Sequence, residues 1–95
     1  MSTFSKNQKM NRMSNFMEEL AESVLDEILA KKREDFSAKA VEDIKALALN
    51  RLWPMYTTTD AGRVYLRKVV QEENIERDVV RELRAAMDIV RANPR

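Results

Sequence analysis

Cysteine and histidine are both absent from this 95-residue chain. Disulfides are therefore excluded, and cysteine usage says nothing of redox compartment. The soft and imidazole ligands of a structural zinc site are missing too, so no zinc and no other cofactor is expected. The commonest general base and the thiol nucleophile are gone with them. A single glycine rules out a glycine-rich phosphate loop. No apolar run is long enough to span a membrane, and the opening MSTFSKNQKMNRM lacks the apolar segment of a signal peptide. The expectation is a cytoplasmic protein that is not an enzyme and does not enter a membrane.

What is there is helical material. Hydrophobic residues make up 44% and charged residues 35%, a balance that suits helices with one buried stripe and a charged outer face. So short a helical chain has a poor surface-to-volume ratio, and homodimerisation is a common way to bury the remainder. The formal net charge is only +1, but its distribution is uneven. Residues 1–13 carry Lys6, Lys9 and Arg12 and no acid, and are expected to form a flexible basic arm ahead of a single helical domain over 14–95. Residues 14–30 carry five acids and no base, after which comes Lys31-Lys32-Arg33. That asymmetry complements the dipole of a helix running between them.

The pattern predicts three main helices. The first starts near Asn15, which with Glu18 has capping-box spacing, and buries Phe16, Met17, Leu20, Ala21, Val24, Leu25 and Ile28. The second is capped by Asp35 or Ser37 and carries Ala40, Val41, Ile44, Leu47, Ala48 and Leu52, widened by Ala46 and Leu49. Being apolar on most of its surface, it is expected to be the most buried element, ending near Leu52 because of Pro54. The third runs from about Leu66 to Ala92, with Val80, Leu83, Met87 and Val90 inward, a Glu73–Arg77 pair, and alternating charges outside. Asn93-Pro94 stops it.

Between the second and third helices lies a short extended or turn segment near 53–65 that concentrates the rare residues. It holds the only Trp, one of two prolines, three consecutive threonines, the only Gly and both tyrosines. Met55 to Thr59 reads as extended, and Asp60-Ala61-Gly62 as a turn. Val64-Tyr65 either pairs back as a strand or opens the next helix. Arg51, Tyr56, Arg63, Tyr65, Arg67 and Lys68 gather around it. Arginine offers a planar fork for phosphate or a purine edge, and tyrosine a stacking face, which is what an anionic nucleotide needs. Each also has a structural reading. The tyrosines fit a core, Arg51 fits its own helix C-terminus, and the other bases fit a solvated surface. Trp53 is expected to anchor packing.

The stretch Asp43-Ile44, Ala46-Leu47-Ala48-Leu49-Asn50, Leu52, Pro54, Tyr56, Thr59, Gly62 and Val64-Tyr65 resembles the late competence development protein ComFB family, whose pattern is DI-x-ALALN-x-LPP-x-Y followed by Thr or Ser, Gly and an aromatic. Asn15-Phe16-Met17-Glu18 and Asp78-Val79 to Asn93-Pro94 extend the resemblance over about 15–94. It implies a small, mainly all-α homodimer that acts as a receptor for a cyclic dinucleotide, cyclic di-GMP in preference to cyclic di-AMP, with a downstream protein partner. Some members hold zinc on a cysteine cluster before the Asp-Ile. Here Phe36-Ser37-Ala38-Lys39-Ala40 occupies that place, and Trp53 stands for the first proline. For such a ligand the candidates for phosphate and purine-edge contacts are Arg51, Arg63 and Arg67, with Lys39 a further cation, and Tyr65 or Tyr56 for stacking. The arm with Lys6, Lys9 and Arg12 would fold over the ligand, and Asp43 serves guanine or an ion pair. The alternative is a dimeric helical adaptor that binds a protein through Met10, Met13, Met17 and the second helix. DNA binding is opposed by the near-neutral charge and the alternating signs of the last helix.

Overall fold

A computed structural model describes residues 12–93. The order is β1 (Ser14–Asn15), α1 (Phe16–Lys32), α2 (Ala38–Leu49), β2 (Tyr56–Thr57), α3 (Asp60–Glu72) and α4 (Ile75–Ala92). The fold is mainly helical, with one two-stranded antiparallel sheet pairing Ser14 with Thr57 and Asn15 with Tyr56.

The first helix begins where the pattern places it. Asn15 is extended, and its side-chain oxygen accepts from the Met17 N–H at 3.1 Å. Its end needs no glycine. Arg33 adopts the left-handed region at φ 54°, and the Glu34 N–H closes the turn on the Leu29 carbonyl. Ser37 caps α2 by accepting from the Ala40 N–H at 3.1 Å. That helix ends at Leu49 rather than Leu52. The Arg51 and Leu52 N–H groups donate to Ala48 and Leu49 carbonyls, tightening the last turn before Pro54.

The long third helix of the sequence reading is two helices. Asn74 takes φ 54° and ψ 42°, a left-handed conformation that asparagine tolerates better than most residues. The break separates Glu73 from Arg77, so their expected pair does not share a helix. It also frees α4 to pack against α1 and α2 while remaining in contact with α3. Val64-Tyr65 belongs to α3, and Gly62 sits in that helix's first turn rather than in a reverse turn. The strand partner of Tyr56–Thr57 is the Ser14–Asn15 segment instead.

The core joins Met17, Ala21, Val24, Leu25 and Ile28 of α1, Ile44 and Ala48 of α2, and Val79, Leu83, Ala86, Met87 and Val90 of α4. The second helix is therefore not the most buried. It fully buries only Ile44 and Ala48, because α1 and α4 cover one side of a helix whose apolar surface is wider than that side. Val41, Leu47 and Leu49 remain half-buried and Ala46 is exposed. Phe16 and Val70 are buried apart from this cluster.

Candidate functional site

The segment between α2 and α3 is fixed from the N-terminal side of the fold. The Asn15 side-chain oxygen, besides capping α1, accepts from the Met55 N–H at 2.7 Å. The Phe16 N–H donates to the Met55 carbonyl at 2.6 Å. Together with the strand pairing, these bonds leave Met55 half-buried and turn its neighbours outward. Trp53 is 86% exposed and Tyr56 58% exposed. Trp53 is thus no packing anchor; Leu52 and Met55 take the inward positions against the core. The tyrosines are not core residues either, since Tyr65 is 66% exposed.

The threonines and the glycine form one device at the start of α3. Thr59 caps the helix, its hydroxyl accepting from the Gly62 N–H at 2.9 Å. The side chain of Thr57 lies over the same turn. A Cβ on residue 62 would stand 2.0 Å from its hydroxyl oxygen and 3.3 Å from its Cβ. Only glycine leaves room for that approach.

Capping places Arg63 and Arg67 one turn apart on the face of α3 that meets α1. Their guanidinium carbons lie 5.8 and 6.0 Å from the Phe16 ring centroid, within cation–π range. Arg63 also forks onto both carboxylate oxygens of Glu19. That hydrogen bonding holds the Glu19 carboxyl below its ordinary 4.5 against the opposing effect of burial, and the charges of Arg63 and then Arg67 add to the lowering. Among the described residues Arg67 has no ion-pair partner of its own. Phe16 follows Asn15, whose strand partner is Tyr56. A groove lined by Met13, Ser14, Asn15, Glu18, Glu19 and Tyr56 runs along this edge, with the Ser14 hydroxyl buried and without a hydrogen-bond partner.

The other candidates stand apart from this group. Tyr65 follows Arg63 by two positions, about 200° around the helix, and faces outward. Arg51 reaches Glu82 of α4 at 3.2 Å instead of its own helix end. Lys39 pairs with Asp43 one turn along α2 at 3.6 Å, the ion-pair option for Asp43. Arg12 is exposed, while Lys6, Lys9 and Met10 lie outside the described residues. Met17 is in the core, which removes it from any adaptor surface; Met13 is exposed. The segment before Asp43-Ile44 does not suit a metal. Phe36 lies under the Arg91 guanidinium at 5.6 Å, Ser37 is committed to its cap and Lys39 is cationic. The Glu34–Arg91 pair, with Asp88 beside it, ties that loop to α4.

Neither Phe16 as a platform nor Glu19 as a partner of Arg63 was among the expected site residues. Phe16 read as one more residue of an apolar stripe. Glu19 lies 44 positions from Arg63, beyond any local spacing rule. No helix among the described residues is long and apolar enough to cross a membrane. No curated protein matches the chain. The family model for late competence development protein ComFB matches residues 14–94, and the chain belongs to that family.

Proposed function

We propose that the protein is a non-enzymatic, cytoplasmic regulator that binds a cyclic dinucleotide, cyclic di-GMP in preference to cyclic di-AMP, as a homodimer. The observation that supports it is the pair of guanidiniums over Phe16. Glu19 occupies Arg63, whereas Arg67 is open to a phosphate. A phosphate at Arg67 gains a charge-assisted contact without displacing a carboxylate. Tyr56, exposed on the strand next to Phe16, supplies the stacking face. Arg12 enters the same edge of the fold, with Lys6 and Lys9 preceding it in sequence. Lys39 and Arg51 are secondary contacts, since each is already in an ion pair. A ligand with two phosphates and two bases matches a two-fold assembly that offers each side chain twice.

Isothermal titration with both dinucleotides tests this. Heat of binding is expected with cyclic di-GMP, and Arg67→Ala is expected to weaken it by about tenfold or more, with Arg63→Ala weaker in effect. No heat with either dinucleotide at high protein concentration rejects the reading.

The exposed Trp53, Val64 and Ile89 favour a second reading, an adaptor that binds a protein partner without nucleotide. Pull-downs with and without cyclic di-GMP separate the two. Equal capture of a partner in both conditions, with no heat in the titration, supports the adaptor.

A further inference from the structure

The third helix is amphipathic, yet it fully buries only Val70. Its opposite face is exposed along its whole length and is not uniformly polar. Val64 is 63% exposed and Tyr65 66% exposed, with Asp60 and Lys68 on the ridge four residues either side of Val64, Glu72 one step further along it, and Ala61 and Arg67 beside it. The steps 60–64–68 form an i, i+4 ridge, the kind of row that interdigitates when two helices pack. Asp60 and Lys68 have no ion-pair partner among the described residues.

We propose that this face is the contact between two copies of the chain, with two α3 helices antiparallel and Val64 at the two-fold axis. The inference deepens the homodimer part of the reading above and rests on it. The charges decide the occupant and its direction. An acid and a base sit about 6 Å along the axis on either side of Val64, so the ridge is complementary to itself under a two-fold. Antiparallel pairing sets Asp60 opposite Lys68 of the partner subunit at both ends. Parallel pairing would set acid on acid and base on base. Tyr65, on this face and turned away from Arg63, packs across the same contact, which takes it out of the nucleotide-stacking role.

The absence of cysteine allows a direct test on the full chain. Val64→Cys, at an exposed position, is expected to give a disulfide-linked dimer on mild oxidation, because the two Cβ atoms meet at the axis within disulfide reach. Ser23→Cys, exposed on α1, is the control and is expected to stay unlinked. In sedimentation, Lys68→Asp is expected to weaken the dimer by tenfold or more, and the exchange Asp60→Lys with Lys68→Asp to restore most of it. If sedimentation finds a dimer but Val64→Cys does not link, or links no faster than Ser23→Cys, this face is overturned while the dimeric reading stands. If the chain sediments as a monomer at every concentration, both are overturned. Failure of the exchange to restore what Lys68→Asp loses overturns the antiparallel register.

Discussion

The two ends of the molecule are held by different forces. Where α1, α2 and α4 meet, Leu25, Ile44, Val79, Leu83 and Met87 have essentially no solvent exposure, and burial of apolar surface dominates. Where β1, β2 and α3 meet, only Phe16 and Val70 are buried, and the work falls to single directional contacts. Asn15 accepts two backbone N–H groups, Thr59 caps, Thr57 fits over Gly62, and Arg63 forks onto Glu19. The first end tolerates changes of outline and resents loss of volume. The second has little volume to lose but depends on individual atoms. That is a usual division between a scaffold and the place where a ligand or partner is met.

Substitutions that probe this contrast should rank accordingly. Leu83→Ala removes a side chain with no exposure from the centre of the core and is expected to cost about 2–5 kcal/mol, read as a fall in the denaturation midpoint. Gly62→Ala is expected to cost about 1–3 kcal/mol, since the new methyl collides with Thr57. Pairing it with Thr57→Ala should recover part of the loss; no recovery would mean that the collision is not the cause. Asn15→Ala leaves the Met17 and Met55 N–H groups without their acceptor and is expected to cost about 1–2 kcal/mol. A loss above that of Leu83→Ala would overturn the ranking.

The smallest effect is the pH response of the second end. The carboxyl of Glu19 is held low by Arg63, so its contribution is present above its ordinary 4.5 and is lost as pH falls through the lowered value in the folded state. The protection factors of α3 amides, which allow for the intrinsic slowing of exchange in acid, should therefore fall below that point before those of the α4 amides. Glu19→Gln should remove the pH dependence. If α3 and α4 amides lose protection together in the wild type, the two ends are not separable in the way described.

The first end was largely legible in the sequence because it obeys local rules. The apolar stripe and Asn15 marked the start of α1, Ser37 was one of two proposed caps, and Leu83, Met87 and Val90 of the 3-4-3 spacing do face inward, although Val79 and Ala86 are buried with them and Val80 only half-buried. The second end was not, for three physical reasons. Its strand pair is two residues long on each side, too short for alternation to register, and its partners lie some forty positions apart. Asn74 breaks the last helix through a backbone conformation rather than through a proline or glycine. Trp53 looked like an anchor by residue type, but the hydrogen bonds of Met55 decide which side chains of that loop turn inward. Thr59-Asp60 was the one available signal for α3, a cap followed by an acid, and the Gly after it drew attention to a turn instead.

The double role of Asn15 has a consequence for the order in which the chain folds. One of its bonds closes within two residues, but the other waits for a contact 40 positions away. A contact that distant meets its loop-closure entropy before it gains anything, whereas the local bond does not. The first turn of α1 is therefore expected to gain its full set of bonds only when the α2–α3 segment arrives. Removal of the Asn15 side chain should accelerate unfolding while leaving the refolding rate nearly unchanged. The same residue would then set how long the α2–α3 segment stays in place once docked, a matter of residence time.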